Sequence, residues 1–407
     1  MKHFRVVCME CGSSPSSRSA NRCEHCSGPL TFEYSYDDVR WDERYSGSIW
    51  RYWRLLPVDD PQFAPTLGEG RTPLLRACAF PNHQIWWKDE TRNPTGSHKD
   101  RSLAVAIAQA RSIAARCSVV VSAGSTGISN AAYAARAGLR SIILMSRGTP
   151  SWRSYPVFAL GSTLIEIDAD IDSIITATDA VARQHPIYVS STTRMSNPHQ
   201  SEGSKTIAYE IVEQLGGAPD WLIVPVGGGG SIAGVWRGFK DLQRLGRIQC
   251  LPRLVGVVPS AYDALAVAFE RGVRSHTDFM ALPYTSKPIT IVTKLAHAHP
   301  PDGMEALEAV RESQGIFVAV TDEQAMDGSE RIGRSDGLFA EPSSGVVVSA
   351  IDQLVATGAV AKTERVVALV CGSGFRESTV AMERRPIRLR SARINQLEDI
   401  LASETQP

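Results

Sequence analysis

Hydrophobic positions recur along the chain with two different periods. A short apolar run at 118–121 is followed by an Ala-rich, helix-like stretch at 129–138 and then by a second apolar run at 141–146. This alternation predicts strand, helix, strand units, in which parallel strands form a sheet covered by helices. The same order returns later in the chain, with apolar runs at 222–226, 254–258 and 365–370. The sequence therefore predicts an α/β fold with mostly parallel sheets.

The composition is that of an ordinary globular protein. Of 407 residues, 43% are hydrophobic and 21% are charged, which argues against disorder, collagen and coiled coil. The 43 Lys and Arg residues balance 43 Asp and Glu residues, so net charge gives no reason to expect a nucleic-acid or membrane partner. No apolar run approaches the roughly 20 residues that span a bilayer, and the N-terminus lacks an apolar signal core. We expect a cytoplasmic protein.

Four of the eight cysteines form two pairs near the N-terminus, Cys8 with Cys11 and Cys23 with Cys26. Two residues between cysteines let a tight turn direct both thiolates at one ion, and two such turns complete a tetrahedral Zn²⁺ site. Because four cysteines leave no open position, such a zinc ion would be structural rather than catalytic. A ribbon that has lost its metal is the alternative. We expect a zinc-ribbon-like segment over residues 1–45.

Three loops rich in Gly and Ser lie where apolar runs end, at 122–127, 227–231 and 372–374. In α/β folds, ligands bind at this edge of the sheet. In the second loop, four consecutive glycines let backbone N–H groups converge on one anion, and the following helix N-terminus favours a phosphate group. The loop has neither the Lys of a P-loop nor the spacing of a dinucleotide-binding loop. A plain tight turn is the alternative interpretation.

The segment from Asn93 to Arg101 reads Asn-Pro-Thr-Gly-Ser-His-Lys-Asp-Arg. It resembles the segment around the cofactor-bearing lysine of threonine synthases and their relatives in the fold-type II family of pyridoxal phosphate enzymes. The resemblance extends over roughly residues 45 to 380, and many archaeal and bacterial threonine synthases also begin with a cysteine-pair ribbon. The further segments that carry it are Ile49–Tyr52, Leu56–Pro57, Leu67–Leu74, Asn197–Pro198, Glu202–Glu210, Pro225–Gly234 and, more loosely, Glu341–Ser344 and Gly372–Arg376.

The resemblance implies a fold-type II architecture of two doubly wound, mostly parallel sheet domains, and a homodimer. The implied segments are a large cofactor-binding domain at 46–115 and 206–385, a small substrate-side domain at 116–205, and a tail at 386–407. In the tail, Ile394, Leu397 and Leu401 have helical spacing. We expect this helix to pack on its own domain, with contact to a second subunit as the alternative.

The resemblance also implies a pyridoxal 5'-phosphate cofactor, a small amino-acid substrate and a set of site residues. Lys99 would carry the cofactor and move protons at the substrate's α-carbon. The cofactor phosphate would be held by Gly227, Gly228, Gly229, Gly230 and Ser231. The substrate carboxylate would be bound by Ser122, Gly124, Ser125, Thr126 and Gly127. Ser125 would also stand near the oxygen on the cofactor ring, and Cys371 beside the pyridine nitrogen.

Three positions depart from the threonine synthase pattern. Ser125 stands where the family has Asn, and its shorter hydroxyl cannot reproduce an amide donor at the same reach. Cys371 replaces the usual Thr; related serine and threonine dehydratases have Cys or Ser there, and a neutral partner leaves the pyridine nitrogen largely unprotonated. His98 replaces the usual Phe before the lysine, and we expect it to pack rather than to act in catalysis.

Four cations near these motifs have two interpretations each. Lys88 and Arg153 are candidates for binding the substrate's own phosphate, or they are ordinary surface cations. Lys205 and Arg101 lie inside family motifs and could equally be structural ion-pair partners. The sequence does not choose between these interpretations.

The resemblance implies threonine synthase activity, which converts O-phosphohomoserine and water to threonine and phosphate. The first alternative is β-elimination or β-replacement on a serine-type or O-phosphoserine-type substrate, as in cysteate synthases or dehydratases; Ser125 and Cys371 favour it. The second is a non-catalytic protein whose ribbon contacts nucleic acid while its body senses an amino acid. The complete motif at Lys99 and the lack of a dense basic stripe in the ribbon sequence disfavour that reading.

Overall fold

The computed structural model describes residues 3–17, 20–182, 184–185, 187–191, 193–283, 289–377, 385, 391–397 and 400–401. The strands are β1 Phe4–Cys8, β2 Leu30–Tyr34, β3 Leu74–Arg76, β4 Gln84–Asp89, β5 Cys117–Val121, β6 Arg140–Ser146, β7 Thr163–Ile167, β8 Tyr188–Val189, β9 Trp221–Pro225, β10 Arg253–Pro259, β11 Ile316–Val320 and β12 Arg365–Val370. The helices are α1 Lys99–Ser112, α2 Ser125–Ala137, α3 Ser151–Ala159, α4 Ile171–Ala182, α5 Lys205–Leu215, α6 Gly230–Arg244, α7 Ala264–Glu270, α8 His276–Met280, α9 Gly303–Glu312, α10 Asp322–Asp336 and α11 Pro342–Ala356. None of these described helices is long and apolar enough to cross a membrane.

Six strands form the larger sheet, in the order β11-β10-β9-β12-β4-β3. Neighbouring strands are parallel except for the edge strand β3, which runs antiparallel to β4. Along β9, Leu222 and Val224 pack in the same core as helices α5 and α6, whereas Ile223 packs in the core that contains α11. Strands covered on both faces are apolar throughout, which is why β9 and β12 read as continuous hydrophobic runs. The predicted parallel α/β architecture is confirmed.

Four strands form the smaller sheet, in the order β7-β6-β5-β8, and all of its neighbouring strands are parallel. All four lie between residues 116 and 205, whereas the larger sheet takes strands from both sides of this stretch. This arrangement follows the predicted order of a large, a small and again a large domain. The domain boundaries themselves stay a prediction.

The N-terminal segment is a two-stranded antiparallel ribbon in which Cys8 of β1 lies opposite Leu30 of β2. Strand β2 fastens the ribbon to the body of the chain. The hydroxyl of Tyr34 donates to Glu202 at 3.1 Å, and the buried guanidinium of Arg194 donates to the carbonyl oxygen of Leu30 at 3.0 Å. These contacts tie the ribbon to the segment just before α5.

The described part of the C-terminal tail does not pack on the body as expected. Ile394, Leu397 and Leu401 are all exposed, Ile394 to 86% of its surface. Residues 386–390, 398–399 and 402–407, which complete the predicted helix and tail, lie outside the described residues. The expectation that these three apolar side chains cover their own domain is therefore wrong, and contact with a second subunit stays a prediction.

Candidate active site

The loops that follow strands of both sheets enclose a cavity of about 980 Å³. Because the loops after β5, β9 and β12 form its wall, the cavity lies at the carboxyl ends of parallel strands, where α/β folds bind ligands. The residues predicted from the sequence that lie in its wall are Lys99, Ser122, Gly124, Ser125, Thr126, Gly227, Gly228, Gly229, Gly230, Ser231 and Cys371. The fold thus brings together residues from four separate segments of the chain.

Lys99 is the first residue of α1 and lies in the cavity wall. Burial lowers the pKa of its amine. A lowered pKa increases the fraction of the amine that is unprotonated near neutral pH, and only this form can act as a nucleophile or accept a proton. The loop before Lys99 is held by the carboxylate of Asp100, which accepts hydrogen bonds from the amide of Thr95 and the hydroxyl of Ser129, each at 2.6 Å. The lysine is therefore presented from a fixed turn.

A buried ion network holds the first turn of α1. The guanidinium of Arg101 donates to Glu90 at 2.7 Å and to Glu210 at 2.6 Å, and all three side chains are buried. The ammonium of Lys88, also buried, donates to the other oxygen of Glu210 at 2.7 Å. Opposite charges compensate one another here, which makes their burial tolerable.

Buried ion pairs decide the role of three cations that the sequence left open. The ammonium of Lys88 is committed to Glu210 and Gln214, and Lys88 is not in the cavity wall, so the hypothesis that it binds substrate phosphate is wrong. Arg101 is a structural ion-pair partner, which was one of the two roles that the sequence allowed. Lys205 is one as well, because it pairs with Glu202 at 3.0 Å and with Asp241 at 2.9 Å.

The tetraglycine loop leads from β9 into α6. Gly229 has a φ of +96°, a left-handed conformation that favours glycine, and a Cβ there would lie 2.6 Å from the carbonyl oxygen of Asp302. A Cβ on Gly227 would lie 2.9 Å from the carbonyl oxygen of Lys294. Helix α6 begins at Gly230, so its first amides, which have no partner within the helix, lie at the cavity wall. The loop is shaped to hold an anion.

The turn after β5 leads directly into α2, which begins at Ser125. The amide of Gly124 donates to the hydroxyl of Ser122 at 3.1 Å, which closes the turn. A Cβ on Gly127 would lie 1.8 Å from the carbonyl oxygen of Ser122, so glycine is needed here for close packing within the turn. Gly127, which was predicted to bind the substrate carboxylate, is not among the described residues of the cavity wall. Amides at the start of α2 make the turn suitable for a carboxylate.

Cys371 directly follows β12 and is buried at the cavity wall. Its sulfur lies 3.3 Å from the hydroxyl oxygen of Ser344 and 3.7 Å from a carboxylate oxygen of Glu341. Burial and, next, the negative charge of Glu341 raise the pKa of the thiol to about 12. Cys371 therefore presents a neutral thiol.

His98 makes two hydrogen bonds rather than only packing. Its Nδ1 lies 3.1 Å from the carbonyl oxygen of Cys371, and its Nε2 lies 3.1 Å from the hydroxyl oxygen of Ser231. A carbonyl can only accept, so Nδ1 carries the proton and Nε2 accepts from Ser231. Burial and, next, the charge of Lys99 lower the pKa of His98 to about 4, which keeps the ring neutral. His98 thus orients the last residue of the glycine loop.

Replacing His98 with Phe is expected to weaken cofactor binding about fivefold, because one neutral hydrogen bond contributes roughly 1 kcal/mol. The neutral ring also predicts that this difference is constant between pH 6 and pH 8, since both values lie above the lowered pKa of about 4. The measurement is the cofactor dissociation constant at several pH values, with His83→Phe outside the cavity as control. A difference that vanishes toward pH 6 would show that His98 titrates in this range.

Several charged residues of the cavity wall were missed by sequence reasoning. Lys294 forms an ion pair with Glu341, and Glu377 forms one with Arg153 at 3.3 Å. Arg153, which the sequence offered as a candidate for binding the substrate's phosphate, also lies in the cavity wall. Lys294 lies in a connection without a recognisable motif between α8 and α9, so only the tertiary fold reveals its place.

The four N-terminal cysteines converge at the tip of the ribbon, with sulfur atoms all within 4.8 Å of one another. The sulfur of Cys8 lies 3.4 Å from that of Cys26, and the sulfur of Cys11 lies 3.6 Å from that of Cys23. Tetrahedral Zn²⁺ with four thiolates requires about 3.8 Å between sulfurs. All four cysteines are unbonded to one another. The cluster therefore fits a metal ion with little rearrangement.

Comparison with known proteins places the chain in a family. Residues 65–372 match the family described as pyridoxal-phosphate dependent enzyme. The chain belongs to this family and is a pyridoxal phosphate-dependent lyase, and the residues of its cavity fit the cofactor. The glycine loop offers amides where a Cβ would collide, and Lys99 offers an amine of lowered pKa in the same cavity.

Within that family, the chain is similar to threonine synthases. It is 30% identical to the threonine synthase of Methanocaldococcus jannaschii over 94% of this chain and 96% of that protein. It is 31% identical to the threonine synthase of Bacillus sp. strain ULM1 over 88% of this chain and 97% of that protein. The crystal structure of O-ureido-L-serine synthase matches with a TM-score of 0.64 at 22% identity, covering 82% of this chain and 96% of that one, which confirms the fold-type II architecture.

Proposed function

We propose that the chain is a threonine synthase, which converts O-phosphohomoserine and water to threonine and phosphate. The observation that carries the proposal is the convergence of Lys99, the glycine loop 227–231 and the turn 122–126 on one cavity. The proposal is supported by similarity to threonine synthases along nearly the whole chain.

Each part of the cavity has a role in this proposal. Pyridoxal phosphate, when bound, withdraws electrons from the substrate's carbon atoms. The amides of loop 227–231 hold the cofactor's phosphate. Lys99 would hold the cofactor covalently until the substrate's amine takes its place, and the amine of Lys99 that this exchange frees would then move a proton at the substrate's α-carbon.

The substrate is oriented by two further groups. The amides at the start of α2, in the turn 122–126, bind its carboxylate. Arg153 contributes to binding its phosphate, because it lies in the same cavity and its guanidinium can form paired hydrogen bonds with phosphate oxygens. Ser125 and Cys371 set the contacts of the cofactor ring, and both are neutral.

The test is a panel of O-phosphohomoserine, O-phosphoserine, threonine and serine, with phosphate, keto acid and amino acid products measured. We expect equal amounts of phosphate and threonine from O-phosphohomoserine, and little product from the other three. Phosphate release from O-phosphoserine alone, or keto acid from serine or threonine, would contradict the proposal. Such products would instead indicate β-elimination or dehydratase chemistry, the alternative that Ser125 and Cys371 favour.

We propose further that Cys8, Cys11, Cys23 and Cys26 hold one structural Zn²⁺. Support comes from the convergence of their sulfur atoms, which leaves no open coordination position for a substrate. We also propose that the protein forms a homodimer and acts in the cytoplasm. Metal analysis should find one zinc ion per chain, and replacing Cys11 and Cys26 with Ser should abolish it.

A further inference from the structure

The wall of the cavity contains a residue of the N-terminal ribbon. This residue is Arg22, which directly precedes Cys23. Its backbone forms a bridge with Pro29, just before β2. Its guanidinium lies 3.6 Å from the carboxylate of Asp179 on α4, which is also in the wall. The ribbon and the smaller sheet therefore meet at the same cavity that contains Lys99.

Among the described cations of the wall, Arg22 has the loosest ion pair. Lys294 is in close contact with Glu341, and Arg153 lies 3.3 Å from Glu377. Arg153 also donates to the hydroxyl of Thr293 at 3.0 Å. Each of these two cations lies closer to a carboxylate of the wall than Arg22 does, so Arg153 contributes to phosphate binding while it stays paired with Glu377.

The guanidinium of Arg22 is more available than those cations. Its distance of 3.6 Å from Asp179 exceeds that of a hydrogen bond, and 38% of its side chain is exposed. The carboxylate of Asp179 is itself engaged, since it accepts a hydrogen bond from the hydroxyl of Ser196 at 2.7 Å. The structure describes no closer side-chain partner for Arg22 among residues 3–17, 20–182 and the other described ranges. Its N–H groups can therefore donate hydrogen bonds to another anion.

We propose that Arg22 is a recognition residue for the anionic group of the substrate, which it binds in competition with Asp179. The identity of that group as a phosphate monoester rests on the proposed function. A phosphate dianion carries more charge than a carboxylate and matches the paired N–H groups of a guanidinium. The side chain of Arg22 is itself 38% exposed, so Arg22 meets the substrate at a solvent-facing part of the cavity wall.

The proposal gives the ribbon a part in substrate binding as well as in folding. Cys23, one of the four converging cysteines, fixes the backbone next to Arg22, while β2 fastens the ribbon to the body. The turn that carries the cysteine cluster thus places a cation at the cavity.

The test uses three variants of the holoenzyme, Arg22→Gln, Asp179→Asn and the control Arg5→Gln. Arg5 is an exposed arginine of the same ribbon, paired with Glu33 and outside the described cavity wall. Binding of inorganic phosphate is measured by calorimetric titration, and KM and kcat are measured with O-phosphohomoserine. Thermal unfolding of each variant verifies that it is folded.

We expect Arg22→Gln to raise the phosphate dissociation constant and KM about tenfold while kcat changes less than twofold. Asp179→Asn is expected to lower both constants severalfold, because it removes the competitor, and Arg5→Gln to leave them within twofold. If Arg22 and Asp179 formed only a structural tie, both replacements would act in the same direction, or neither would act, and the proposal would be wrong. If the wild-type enzyme makes no threonine, the proposed function fails, but the phosphate titration still decides the role of Arg22.

Discussion

Replacing Lys99 with Ala is expected to lower turnover by about a thousandfold or more, because one residue both holds the cofactor and transfers the proton at the substrate's α-carbon. The visible absorption of the covalently bound cofactor should disappear at the same time. Borohydride reduction followed by mass spectrometry should leave cofactor mass on the peptide that contains Lys99 in the wild type and on no peptide of the variant.

A second lysine of the same cavity provides the matched control. Lys294 lies in the cavity wall, but it is paired with Glu341 and is not preceded by the loop that presents Lys99. Lys294→Ala should therefore retain the cofactor on Lys99 after reduction, whatever it does to turnover. Cofactor attached to Lys294, or undiminished turnover of Lys99→Ala, would overturn the assignment of Lys99.

The parts of the fold that could be predicted from the sequence are those where a local pattern has one physical solution. The run 222–226 is apolar at every position because β9 is covered on both faces, and in the glycine loop after it the left-handed φ of Gly229 favours glycine. The motif around Lys99 is likewise local, since Asp100 closes the turn that presents the lysine. Such features leave a local pattern in the sequence, even where distant residues such as Asp302 complete the packing.

The parts that could not be predicted depend on contacts between distant segments. Lys88 looks like any surface cation in the sequence, and its burial follows only from its pairing with Glu210, 122 residues further along. Arg22 reaches the cavity only because β2 docks on the segment before α5. The role of a charged residue is set by its tertiary partners, so the sequence left two interpretations open for Lys88 and gave no indication that Arg22 lies at the cavity.

Replacing Glu210 with Gln is expected to destabilise the protein by about 3–5 kcal/mol, because it leaves buried cations without a compensating charge. Glu210 accepts hydrogen bonds from both Arg101 and Lys88 and is itself buried. The matched control is Glu213→Gln on the same helix, whose carboxylate is 32% exposed and pairs with Arg51 at 3.1 Å. A partly exposed pair contributes less than about 1 kcal/mol. Urea unfolding of the three proteins measures the difference, and equal losses in both variants would contradict the expectation.

The same network predicts how stability depends on pH. Burial alone would raise the pKa of Glu210, but the charges of Arg101 and Lys88 outweigh it and hold the pKa well below its usual range. A carboxyl group whose pKa is lowered by folding stabilises the folded state above the unfolded pKa of about 4.3, and this stabilisation is lost as the pH falls. The free energy of unfolding of the wild type should therefore decrease from pH 5 to pH 3, and it should decrease less steeply in Glu210→Gln, which has one fewer carboxylate to protonate. Because the network holds the turn at Lys99, covalent cofactor binding should be lost over the same acidic range as stability rather than at a pH set by Lys99 itself.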